Sequence, residues 1–255
     1  MNKYDLEHKL LNGSVIYMND DIPTYKVTMS DMDSIGFSTV QNIIDILCID
    51  EARASEFIKN NNSQISSSYL LLVATILSES DNPSQDLLYT KLLKFLSKFF
   101  RQEVFFDKDN LRFVLEKEKK VLDSDNYNEF QMILKARNCL IGIDNFEELE
   151  NPSNEAVKKL LEKRRKLREK LNKAKTKDDN ESLTMADLIS IFAEAEHMPL
   201  QYVYENYDIY QFNNQFNRLK IMDDFHVNIQ ALLLGANKDD IGFQHWLSKI
   251  DNKND

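Results

Sequence analysis

The sequence predicts a mainly α-helical protein with two small β-hairpins, an α+β fold. Three observations carry this. Glycine and proline are scarce, with 5 and 4 among 255 residues, which disfavours a loop-rich β architecture. Apolar residues recur at helical spacing through most of the chain. In only two places do β-branched and aromatic runs flank a polar turn.

Met1 to Asn12 is polar and mixed in charge, unlike a secretory signal. The first hairpin is expected near 14–29, from runs Ser14 to Met18 and Thr24 to Met29, with Asn19, Asp20 and Asp21 between them. Ser30 with Asp33 reads as the capping signal of the next helix, whose buried face holds Val40, Ile43, Ile44 and Leu47. A short helix follows over 51–59, then helices over 67–79 and 84–101, separated by Pro83 and Ser84. In the second of these, Leu88, Leu92, Phe95, Leu96 and Phe99 make the inner stripe. The second hairpin spans 103–115, turning at Asp107 to Asn110. Asn126 opens a helix to Leu140, and Gly142 ends it.

Residues 144–154 are acidic, contain Pro152 and read as a linker. Val157 to Lys177 is a helix of another character. It holds eleven Lys or Arg and two Glu, 11 − 2 = +9, so the rest of the chain carries −10 − 9 = −19. Thr184 with Asp187 starts a helix to about Glu196, and Pro199 opens a short one through Asn206. Asp208 and Gln211 then start a long helix that Gly235 stops. Its apolar residues Ile209, Phe212, Phe216, Leu219, Met222, Ile229, Leu232 and Leu233 read as one stripe. A last helix is expected over 238–250, with Trp246. This gives three regions: a mostly helical N-terminal domain, 1–143; the linker and basic connecting helix, 144–181; and an aromatic-rich C-terminal helical domain, 182–255.

The chemistry-bearing motifs are sparse. Cys48 and Cys139 stand far apart with no C-x-x-C neighbour, which suits a reducing compartment. Glu194-Ala195-Glu196-His197 lacks the second histidine of an H-E-x-x-H helix and reads as a solvated helix end rather than a metal site. There is no nucleophile elbow, phosphate loop or dinucleotide fingerprint. No catalytic residue, metal or cofactor is expected, and the chain does not read as an enzyme. The longest apolar run, Tyr69 to Leu77, is about half of the ~20 residues that a bilayer crossing needs, so no membrane partner is expected.

Lys163, Arg164, Arg165, Lys166 and Arg168 on the basic helix have three readings. They could bind phosphate, dock on the acidic remainder of the chain, or sit on a solvated connector; the last carries the most weight and nucleic acid the least. The net charge of −10 also argues against nucleic acid as the partner of the whole chain. The stronger signal is aromatic. Tyr202, Tyr204, Tyr207, Tyr210, Phe212, Phe216 and Phe225 are seven rings in 24 residues, where the 10% average gives between two and three. Phe212 and Phe216 lie on the stripe and read as core. Tyr210 and Tyr204 fall off it. The candidate partner surface is therefore Tyr202, Tyr204, Tyr207, Tyr210 and Trp246, since tyrosine and tryptophan cover apolar area while keeping a polar tip in water.

The run LTMADLISIFAE and the stretch YENYDIYQFNNQFNRLKIMDDFHVNIQALLLGANKDDIGFQHWLSKI resemble proteins of the tail modules of Gram-positive phages and prophages. The resemblance rests on the F-x-R-L step Phe216 to Leu219, the stop Leu234-Gly235-Ala236, and His245 to Ile250. The hairpin with NYNEFQMILKARNCL and the charged NPSNEAVKKLLEKRRKLREKLNKAK extend it to about residues 103–250. It implies a role in building a phage tail, and the function expected is a tail assembly chaperone that binds the tape-measure protein in the host cytoplasm. Its alternatives are a structural protein of the tail or baseplate, present in the virion, and a nucleic-acid-binding regulator acting through helix 157–177. A homo-oligomer is left open.

Overall fold

A computed structural model describes residues 3–19, 21–57, 67–80, 86–117, 119–141, 183–236 and 245–248. It is mostly helical, with one two-stranded and one three-stranded antiparallel sheet. The predicted linker, the basic helix and nearly all of the expected last helix lie outside those residues; 245–248 form a turn.

The chain opens with a helix absent from the sequence reading, α1 (Lys3–Asn12). Its apolar face is thin, but Leu6 and Leu10, one turn apart, are fully buried. The first hairpin pairs β1 (Ile16–Met18) with β2 (Ile22–Thr24), joining Ile16 to Thr24, Tyr17 to Pro23 and Met18 to Ile22. The turn lies where expected, but the second strand comes earlier. Residues 25–28 leave the sheet: the Tyr25 N–H donates to Phe99 O at 2.8 Å instead of to a strand partner. The helix expected from Ser30 is two helices, α2 (Met29–Asp33) and α3 (Phe37–Leu47). Thr28 is the cap, in a reciprocal box with Asp31. The break falls at Gly36, whose φ of +104° no helix contains.

Helices α4 (Glu51–Phe57), α5 (Ser67–Ser80) and α6 (Asp86–Phe100) follow. The second hairpin, β3 (Val104–Asp107) and β4 (Arg112–Leu115), gains a third strand, β5 (Val121–Leu122). Helix α7 (Tyr127–Arg137) ends earlier than expected, at Asn138, before Cys139 turns left-handed at φ +55°. It tethers α3 through side chains: the Tyr127 hydroxyl and Gln131 Nε2 donate to Leu47 O at 3.0 and 2.7 Å, satisfying a carbonyl that the helix end leaves open. Around it, Phe95, Phe99, Phe100, Tyr127 and Phe130 pack with ring centroids 5.3 to 6.4 Å apart.

Three helices close the described chain: α8 (Met185–Ala195), α9 (Leu200–Asn206) and α10 (Ile209–Leu233). The expected Thr184–Asp187 and Asp208–Gln211 capping boxes are both present. Ala236 N donates to Ala231 O at 3.0 Å and Gly235 N to Leu232 O at 3.1 Å, the paired bonds of a Schellman stop. Ile189, Phe192, Val203, Ile209, Tyr210 and Phe212 join the same apolar core as Leu6, Val27, Met32 and Phe99. The described residues on either side of 142–182 thus share one core.

Candidate functional site

The polar side of that shared core is a knot around the start of α10. Asp208 Oδ1 accepts from Gln211 N at 2.8 Å. Its Oδ2 lies 3.5 Å from Arg137 Nη1, with both side chains buried. Arg137 Nη2 also donates to Ser14 O at 2.8 Å, at the end of α1 and the start of the first hairpin. Burial pushes Asp208 up from its ordinary value despite the bonds from Gln211 and the charges of Arg137 and Lys26. Burial likewise lowers Arg137, to about 10, against the pull of Asp208. Desolvation therefore outweighs pairing for both partners.

Gln211 reaches outward from this knot. Its Nε2 donates to Leu11 O at 2.9 Å, and its Oε1 accepts from Lys26 Nζ at 3.2 Å. Lys26 Nζ also donates to Asn206 O at 2.6 Å. The lysine can lie there because residue 13 is glycine: a Cβ would come within 2.8 Å of Lys26 Cδ and 3.0 Å of Gln211 Nε2, on a backbone already at φ +68°. Above Lys26 opens a cleft of about 280 Å³ lined by Leu11, Lys26, Tyr202, Asn206, Tyr207, Gln211 and Gln215.

Two of the predicted aromatic residues wall this cleft. Tyr202 is 50% exposed and meets Tyr207 edge-on at 6.5 Å. Tyr207 is half-buried, edge-on to Phe192 at 5.8 Å. Burial raises its phenol, with Tyr202 and Glu196 adding to the effect. Tyr204 is half-buried against the core. Tyr210 corrects the expectation: it is 2% exposed and belongs to the core. Helix α10 meets neighbours on two sides, α1 and α7, so a ring off the main stripe is covered too. Trp246 is 41% exposed. Arg218 Nη1 fixes its turn by donating to Trp246 O at 2.7 Å and Ser248 O at 2.8 Å, and His245 meets Phe225 at 5.2 Å.

The single stripe expected on α10 is two. Ile209, Phe212, Phe216 and Leu219 turn toward the core. Beyond Leu219 the same heptad positions become Asp223, His226 and Gln230. The apolar residues move to Met222, Phe225 and Ile229. Phe225 lies thirteen positions after Phe212, and at 3.6 per turn the second row is centred roughly a third of a turn from the first. The helix spans roughly 37 Å at 1.5 Å per residue, yet its buried residues are Ile209, Tyr210 and Phe212, all in the first turn. Gln211, Gln215, Arg218, Met222, Phe225, Ile229 and Leu233 follow at spacings of 4, 3, 4, 3, 4 and 4. One face thus runs from the Lys26 cleft to the helix end, and the 245–248 turn lies across it on Arg218 and Phe225. The sequence holds the signal for this in the polar residues at 223, 226 and 230, but eight apolar residues spaced by three, four or seven look like one row.

Elsewhere the side chains offer less chemistry. The Cys48 and Cys139 thiols are pushed up by burial to about 12 and about 11. Glu194, Glu196 and His197 are exposed at the end of α8. Among the described residues, no group of three His, Cys, Asp or Glu is placed to hold a metal, and no helix is long and apolar enough to cross a membrane. Lys163, Arg164, Arg165, Lys166 and Arg168 lie outside the described residues.

The family model described as the YomV second domain matches residues 174–251, less than a third of the chain. The match takes in α8, α9, α10 and the Trp246 turn. YomV is a phage- or prophage-encoded protein, so the similarity points to a phage origin. No curated protein and no solved structure matches the chain.

Proposed function

We propose that this chain is a phage tail assembly factor that chaperones the tape-measure protein, holding its helices before the tail tube forms. The observation that carries the reading is the apolar surface at the far end of α10: Met222, Leu233 and Leu234 are exposed there, Trp246 and Leu247 are exposed on the turn that packs against the helix, and the Tyr202–Tyr207 ledge lies at the other end. A face of this kind suits helix-in-groove recognition, where anchors at helical spacing meet those of a partner helix. The net charge of −10 would keep a complex with an apolar helical protein dispersed. The similarity to a phage-encoded domain supports the setting. The chain would work in the host cytoplasm and catalyse nothing.

The test is co-expression with the tape-measure protein from the same phage or prophage. A soluble tape-measure protein only in the presence of this chain is the expected result. Equal solubility with and without it refutes the reading. Mass spectrometry of purified virions separates the chaperone from a structural protein of the tail or baseplate: stoichiometric copies in the particle assign the structural role.

A further inference from the structure

The cleft at the head of the α10 face has a chemistry of its own. Its floor is Lys26, half-buried, with an ammonium that has three donors. Two are used, and both meet neutral oxygens, Asn206 O and Gln211 Oε1. Among the described residues no carboxylate forms an ion pair with it. The charges that act on Lys26 from a distance are Asp208, Arg101 and Arg137, so three cations gather around one anion in a chain that is acidic as a whole. Burial weakens the hold of Lys26 on its proton, and an anion in the cleft would restore it. The walls are Tyr202, Tyr207 and Gln215: two phenol rings for an aliphatic stem and an amide for a second hydrogen bond. A volume of about 280 Å³ is at the lower limit for a small-molecule ligand site and ample for one side chain.

We infer that the Lys26 cleft receives the carboxylate of an acidic side chain, a glutamate or aspartate of a bound polypeptide, beside Tyr202 and Tyr207. The polypeptide source follows from continuity. Gln211 and Gln215 of the cleft lie on the same face of α10 as Arg218, which holds the turn that exposes Trp246 and Leu247, so a helix seated on that turn brings a side chain toward Lys26. In that respect the inference rests on the helix-holding reading. The carboxylate chemistry itself does not. The charge-assisted contact fixes the register and direction of the bound helix, which an apolar row alone leaves free to slide.

The probes are N-acetyl-glutamate N-methylamide and its glutamine analogue, titrated at matched ionic strength into the full chain. The Lys26 side-chain and Tyr202 ring signals are followed by NMR. The glutamate probe is expected to shift both saturably, with the glutamine probe at least about tenfold weaker, a difference of about 1.4 kcal/mol. Lys26→Met should abolish the response. Gln215→Glu, at an exposed position that leaves the core untouched, should compete for Lys26 and abolish it as well. Equal responses to the two probes, no response to either, or a glutamate response that survives Gln215→Glu would each overturn the inference. A positive titration with failed co-expression removes the tape-measure protein as partner and leaves the carboxylate site standing.

Discussion

Removing one member of the Arg137–Asp208 pair should cost more than removing both charges together. The perturbations are Arg137→Met, Asp208→Asn and their combination. Both side chains are buried and their nearest atoms are 3.5 Å apart. Arg137→Met strands a buried carboxylate and leaves Ser14 O without its 2.8 Å donor. Breaking a buried pair from one side typically costs about 3–5 kcal/mol. Asp208→Asn keeps a capping oxygen for Gln211 N, so the loss of about 1 kcal/mol for a removed cap does not enter. What remains is the cost of an arginine held only by backbone carbonyls, about 2–3 kcal/mol, the scale of a lost bond to a charged group. The double variant buries no charge at this site, so its cost should fall short of the sum by about 1–3 kcal/mol. Urea unfolding of the four proteins reads these values directly, provided the m-values agree. Additive losses, or single losses below about 1 kcal/mol, would show that the knot is better solvated than its burial implies.

The same carboxylate has a pH signature. Asp208 is raised in the folded chain by burial, so its favourable contribution is complete below the unfolded value near 3.8 and is lost as pH rises through the folded value; wild type should lose stability over that rise by a step that Asp208→Asn lacks. Asp31 behaves oppositely. Burial alone would raise it, but the bonds from Lys98 and Thr28 lower it below 3.8, so the penalty of Asp31→Asn should shrink as pH falls from about 4. For the thiols, pKa values of about 12 and about 11 against an ordinary 9.0 leave roughly a thousandfold and a hundredfold less thiolate. Labelling of native Cys48 and Cys139 at pH 8 should therefore be slower than in urea; equal rates would refute the effect of the fold on their thiols. On α10, Phe212→Ala should cost about 3–5 kcal/mol, while Met222→Asp should stay within about 0.5 kcal/mol and still abolish tape-measure solubilisation.

Much of this fold is legible in the sequence because its signals are local. The Thr184–Asp187 and Asp208–Gln211 boxes need only four residues each, and both helices start where those residues say. The hairpin at 104–115 reads equally well, since Asp107 makes its own turn by accepting from the backbone of Asp109 and Asn110. What stays hidden depends on partners far along the chain. Helix α1 has too few apolar residues to announce itself and is completed by packing on α10. The burial of Tyr210 has the same origin. The Lys26 cleft unites residues 11, 26, 202–207 and 211–215, and no spacing rule connects positions nearly 200 apart. Gly36 is a readable break between α2 and α3, but the capping signal at Ser30 points to a single helix.

The shift of faces along α10 gives the proposed function its mechanical sense. Had the stripe of Phe212 and Phe216 continued straight, it would have placed apolar residues at 223, 226 and 230, on the side that faces the core. Instead the core-facing positions turn polar at Asp223, His226 and Gln230, and the apolar row reappears roughly a third of a turn away. The first half of the helix is thereby fixed by the core, two capping bonds and the Arg137 pair. The second half presents its row from that rigid base, steadied by the Trp246 turn through Arg218. A helix that is held at one end and apolar on the outside at the other has little ordering entropy left to lose when a partner helix docks, so less of the burial energy is consumed by arranging the surface.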